Sequence, residues 1–237
     1  MKKVFLFSLG LFMAVGTLMA SPVADKKNND KNNNAPKAVD LGLPSGTKWA
    51  SCNVGATAPE ELGDYFAWGE TAKKDEYTWK AYTLCEGKYT SIVEYCTSER
   101  YGKVDDKKVL DLEDDAANVQ WGGKWRIPTI EEQKELIENC TWSWETLNGV
   151  TGYKVTSKKN PKNFIFLPAG GYVEGTEVVG VENDAEKADA NYGYYMSSSL
   201  GNTLSLYNYC MYFNSSASYW LNYSYRSRGC LVRPVCE

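Results

Sequence analysis

Apolar residues along this chain fall into three patterns. One long apolar run extends from Val4 to Met19. One stretch has helical spacing: Thr129 and Glu132 match a capping box after Pro128, and Ile130, Ile137 and Cys140 then share a face with Leu136 beside them. Almost everything else comes in short alternating pieces bounded by Gly, Pro and Asn, the period of half-buried strands. These pieces are Thr47–Cys52, Tyr153–Ser157, Phe164–Leu167, Tyr192–Ser199, Thr203–Phe213, Tyr219–Tyr225 and Cys230–Cys236. Residues 77–101 also alternate and predict a hairpin about Glu86-Gly87-Lys88, and Asn148-Gly149 is a second hairpin signal. A shorter helix is expected over Leu112–Val119. Residues 169–191 show no clear period, so they are expected to form a long loop. Strand, helices, strands and a closing antiparallel meander is α+β order.

The closing meander carries the candidate chemistry. Residues 192–225 hold nine of the seventeen tyrosines, interleaved with Ser and Asn. A Tyr ring offers a rigid face and a hydroxyl at small entropic cost, and Ser and Asn add adaptable hydrogen bonds, a mixture found in recognition surfaces. Strand alternation puts Leu206, Asn208, Cys210 and Tyr212 on one face and Tyr207, Tyr209, Met211 and Phe213 on the other. Both faces are apolar, so this strand is expected to be central and its tyrosines structural. The ligand-binding candidates are therefore on the flanking strand and turn: Tyr219, Trp220, Asn222, Tyr223, Tyr225 and Arg226. Pro234 removes a ladder donor, so the last strand should be an edge or bulged there.

The first 20 residues read as a secretory signal peptide, with Lys2 and Lys3 before the apolar run and small residues at Ala20. The run is shorter than the ~20 residues of a membrane-spanning helix, and no membrane span is expected after signal removal. Residues 21–36, rich in Asn, Lys and Asp, are expected to be a disordered leader. Residues 37–237 remain as one domain. The formal charge of −4, with no block of Lys or Arg, argues against nucleic acid as a partner. The chain has no histidine, which excludes Ser-His and Cys-His nucleophile pairs and imidazole metal sites. Export permits disulfides among the seven cysteines. Cys210 with Cys230, and Cys140 with Cys236 or Cys52, are the pairs considered, against a reading of the cysteines as small buried apolar groups.

Three further groups have a functional and a structural reading. Trp121-Gly-Gly-Lys-Trp-Arg126 offers sugar-stacking rings, or core tryptophans with Arg126 paired to an acid such as Asp114. Asp111, Glu113, Asp114 and Asp115 offer calcium oxygens, or simply a helix N-terminus that favours acids. Glu182, Asn183, Asp184, Glu186 and Asp189 offer a second calcium set. No EF-hand spacing occurs, so no cofactor is expected, with calcium as the open alternative. No motif isolates a pair of glycosidase carboxylates.

Several segments resemble the Fibrobacter succinogenes major paralogous domain, a family of secreted and surface proteins of Bacteroidota. They are Val39–Ala56 (Val-Asp-Leu-Gly-Leu-Pro-Ser-Gly-Thr-Lys-Trp-Ala-Ser-Cys-Asn-Val-Gly-Ala), Gly63–Glu70 (Gly-Asp-Tyr-Phe-Ala-Trp-Gly-Glu), Asp114–Ala117, Trp121–Thr129, Tyr192–Ser199 and Val232–Val235, in family order. The resemblance implies a C-type-lectin-like single domain with two helices and an antiparallel sheet, related to that of formylglycine-generating enzymes, with first and last strands paired: Trp49–Cys52 beside Leu231–Val235. It brings no catalytic residues. Cys230 and Cys236 have five residues between them, not the spacing of the enzyme branch, and the calcium-dependent sugar motif of animal lectins is absent.

The expected function is a secreted or surface, non-catalytic binding module that recognises a glycan or a surface protein. The alternatives are a secreted enzyme, either a carboxylate-pair glycan hydrolase or a Cys-dependent oxidoreductase, and a structural surface component. Fold alone does not choose among them.

Overall fold

In the computed structural model, residues 36–181, 191–216 and 219–237 are described, the side chains of Tyr219 and Trp220 excepted. The expected signal peptide and leader, and the acidic set between Glu182 and Asp189, lie outside the described residues. The two ends of the domain are joined. Strand β1 (Ala38–Val39) pairs with β2 (Lys48–Ala50), and the far side of β2 pairs antiparallel with the last strand, β13 (Val235–Cys236), Trp49 opposite Val235. The pairing is extended by Ala50 N–H donating to Pro234 O and Val54 N–H to Val232 O. The strand expected to be first thus meets the last one, but a two-residue strand precedes it.

The largest sheet has the order β11-β10-β9-β12-β3. Its members are β3 (Tyr65–Phe66), β9 (Tyr192–Leu200), β10 (Tyr207–Asn214), β11 (Tyr219–Tyr225) and β12 (Cys230–Leu231). As the alternation of β10 predicts, that strand is flanked on both sides. The predicted Cys230–Cys236 strand is two strands. Pro234 has no N–H for a ladder, and the chain passes there from one sheet to the other.

Helix α1 (Ala116–Trp121) begins later than the sequence suggests, because Asp115 caps it: one carboxylate oxygen accepts from the N–H groups of Ala117 and Asn118. Helix α2 (Ile130–Asn139) starts where predicted, with both halves of the Thr129–Glu132 capping box formed. Its buried positions are Gln133 and Leu136, whereas Ile130 and Ile137 are only half-buried. The inward face turns toward Gln133 because its amide N–H₂ donates to the carbonyls of Tyr195 and Met196 in β9.

Strands β4 (Cys140–Leu147), β5 (Val150–Ser157) and β6 (Phe164–Pro168) form a third sheet. Asn148 and Gly149 make its first turn, both at positive φ (50° and 87°), so Leu147 faces Val150. Part of the expected long loop is a hairpin, β7 (Tyr172–Glu174) with β8 (Glu177–Val179), turning on Gly175-Thr176. Residues 77–101 form no regular hairpin. An isolated Cys85–Ile92 bridge closes around Gly87, and Tyr77, Tyr82, Tyr95 and Tyr101 dock on the core instead, Tyr82 donating to Trp68 O. Among the described residues, no helix is long and apolar enough to cross a membrane.

Two arginines are fully buried without a carboxylate. Arg233 donates to Asn53 Oδ1 (2.7 Å), Ala50 O and Phe166 O, tying the last strand region to the first and to β6. Burial lowers its pKa. Arg226 does the same between β11 and the backbone of Glu94, Tyr95 and Ser205.

Candidate functional site

The six ligand candidates do not form one surface. Register and alternation put Tyr223 and Tyr225 on one face of β11 and Asn222 on the other. The side chains of Tyr219 and Trp220 lie outside the described residues. Arg226 is entirely buried: it donates to Tyr82 Oη, Tyr95 O, Ser205 O and Glu94 O, which makes it a structural residue rather than a ligand contact. Asn222 is half-buried, and its side-chain oxygen accepts from the Tyr223 N–H, so it serves the strand itself.

Tyr223 and Tyr225 are brought together with tyrosines of β10. Tyr225 stands opposite Tyr207 and Tyr223 opposite Tyr209. The rings of each pair meet across the strands, stacked with centroids 4.7 Å apart in the first and tilted at 4.8 Å in the second. All four rings are half-buried. The Tyr223 hydroxyl donates to Asn202 Oδ1 (2.6 Å) and lies 3.3 Å from the Tyr209 hydroxyl. The row continues past Tyr225 to Trp79 (6.1 Å, edge-on) and from Trp79 to Tyr89 (6.5 Å), which is 52 % exposed. The Tyr225 hydroxyl beside it raises the pKa of Tyr207, and burial, with Tyr223 adding to it, pushes Tyr209 up to about 12. Both hydroxyls therefore stay protonated in any ordinary buffer, able to donate as well as accept.

Sequence reading missed half of this ladder by assigning Tyr207 and Tyr209 to the core. The face changes character along the strand. Met211 and Phe213 are fully buried on it, under the β4–β6 side of the core, whereas Tyr207 and Tyr209 are not. Alternation reports the face and not the depth. Trp79 and Tyr89 lie more than a hundred residues away in the chain, and no local pattern links them to β11.

A second aromatic group lies against β9 and β10. Tyr172 is 5.1 Å from Tyr194, and Tyr194 is 5.0 Å from Tyr212, with Tyr192 touching all three. Arg228 joins this group to the ladder: its guanidinium is 4.6 Å from the Tyr172 ring and 4.9 Å from the Tyr225 ring. Glu174 holds that guanidinium, both oxygens at 3.0 Å.

The other constellations resolve into structure. Trp121 and Trp125 pack edge-to-face at 5.4 Å in the core. Arg126 pairs with both oxygens of Glu132 (2.6 and 2.7 Å) and not with Asp114, because Glu132 is fixed beside it by the capping box. Oxygens of Glu94, Asp111 and Asp114 come within 4.8 Å of one another. The Lys107 ammonium bridges Glu94 and Asp111 at 2.7 Å each, so the cluster holds a cation of its own. Asp114 accepts from the Tyr95 hydroxyl. Burial pushes the Asp115 carboxyl up to about 6, against three backbone N–H bonds that lower it.

All seven cysteines are buried thiols. Cys210 and Cys230 are not on neighbouring strands: β9 runs between β10 and β12. Cys140 and Cys236 belong to different core clusters, and the Cys52 thiol donates to Ala56 O. Burial raises the pKa of Cys52, Cys85, Cys140, Cys210, Cys230 and Cys236, Cys140 and Cys230 to about 11.

Compared with protein-family models, curated proteins and solved structures, the chain matches none.

Proposed function

We propose that the chain is an exported, non-catalytic binding module whose contact surface is the tyrosine ladder and whose ligand is a glycan. The ladder carries the reading. It pairs apolar ring edges with neutral hydroxyls that both donate and accept, beside the Asn202 amide. That chemistry suits a ligand with alternating C–H and hydroxyl groups. The scaffold proposed is C-type-lectin-like, in the paralogous-domain family of Bacteroidota that the sequence resembles. The motif order and the joined ends of the domain support it. Export and surface location rest on the first 20 residues.

The thiols favour this over the redox alternative, since a reactive cysteine needs exposure and a lowered pKa, whereas all seven are buried and burial raises Cys52, Cys85, Cys140, Cys210, Cys230 and Cys236. The test is a glycan array probed with the wild-type domain and a Tyr223→Ala/Tyr225→Ala double variant. Binding by the first and not by the second, with the fold intact, supports the proposal. Equal binding by both removes the ladder from it.

A further inference from the structure

Within the glycan reading, on which this rests, we infer that the ligand is an internal stretch of an extended, neutral polysaccharide rather than a chain end or a single sugar. Three observations lead there. First, the surface is a row and not a pocket. Six rings follow one another by contact from Tyr89 through Trp79, Tyr225, Tyr207 and Tyr223 to Tyr209. Six rings offer more contact than one sugar unit can fill, so a monosaccharide would use a small part of the surface. Clefts among the described residues are lined by other side chains, for instance the one formed by Glu70, Lys74, Thr83 and Asp114. A chain end is recognised by enclosing it, and these rings do not line that enclosure.

Second, the charge beside the row does not favour an acid, since Glu131 is near enough to Tyr209 to help raise its pKa. Arg228 is the cation that touches it, and Glu174 binds that guanidinium with both oxygens. An acidic polymer would have to displace a formed ion pair to gain one of its own. Third, the hydroxyls repeat. Tyr207 and Tyr209 are two residues apart, so the two ring pairs stand roughly 6.8 Å from one another along the strand, each presenting its hydroxyls. A ligand that repeats gains from every pair, whereas a short one gains from one.

The test uses the whole exported domain in affinity electrophoresis and calorimetry. The probes are a β-glucan, an α-glucan, a xylan, a mannan and polygalacturonate, with the matching di-, tetra-, hexa- and octasaccharides. The inference predicts affinity for a neutral polymer that rises at least tenfold from disaccharide to octasaccharide. Borohydride reduction of the chain ends should leave it unchanged. Tyr89→Ala, at the exposed end of the row, should weaken octasaccharide binding several-fold.

A disaccharide that competes as well as the polymer, loss of binding on end reduction, or preference for polygalacturonate would overturn the inference while leaving a glycan-binding module standing. Failure to bind every probe would overturn both.

Discussion

The guanidinium of Arg226 lies 4.7 Å from the ring of Trp68, with every nitrogen hydrogen-bonded to a neutral acceptor. The pair sits where the residue 82–101 segment meets β11, and the acceptors include the carbonyls of Glu94, Tyr95 and Ser205. Carbonyls that water cannot reach would otherwise be unsatisfied, at about 1–3 kcal/mol each. Arg226→Met should therefore destabilise the domain by about 3 kcal/mol or more, measured by urea unfolding. Its folded fraction should bind ligand as wild type does. A stable Arg226→Met domain that has lost binding would return Arg226 to the ligand face.

The Asn148-Gly149 turn gives a cleaner local test. Gly149 sits at φ 87°, and a Cβ there would meet nothing within 4 Å. Only backbone strain opposes a side chain, at about 1–2 kcal/mol. Gly149→Ala should lower the unfolding free energy by about that amount and leave binding unchanged.

Acid should weaken the α2 cap. Burial raises the Glu132 carboxyl, but the Arg126 guanidinium and the Thr129 bonds outweigh it and hold the folded pKa below the ordinary value near 4.5. The folded state thus binds the proton less readily than the unfolded state. Glu132 contributes stability that is complete above about pH 4.5 and lost as pH falls through the folded value. Glu132→Gln should cost about 2 kcal/mol at pH 7. Its stability should also fall less steeply than that of wild type between pH 5 and pH 3, in denaturant titrations at each pH.

The thiols should be silent in the folded protein. All seven are buried, and burial raises the pKa of Cys52, Cys85, Cys140, Cys210, Cys230 and Cys236. A disulfide-exchange reagent at pH 8 should label none within minutes under native conditions and all seven in guanidinium. Rapid native labelling of two would revive a Cys-dependent chemistry.

These positions also mark what the sequence makes legible. Local chemistry reads through: the Thr129–Glu132 cap, the Asn148-Gly149 turn and the Pro234 break each sit where a few adjacent residues require them. Arg226 does not, because the sequence shows a cation beside a tyrosine-rich strand and the acceptors that bury it come from residues 82–95 and 205. Tyr207 and Tyr209 share alternation with buried Met211 and Phe213, so only tertiary packing separates ladder from core. Gly175-Thr176 was a readable hairpin turn within 169–191, obscured by the irregular stretch around it.

The central claim is that Tyr207, Tyr209, Tyr223 and Tyr225 form the contact surface. Calorimetric titration of a bound polysaccharide into wild type and into Tyr223→Ala/Tyr225→Ala, with thermal unfolding of both, tests it most directly. The account predicts at least a tenfold loss of affinity in the variant with its unfolding transition retained. A folded variant that binds as tightly as wild type would contradict it.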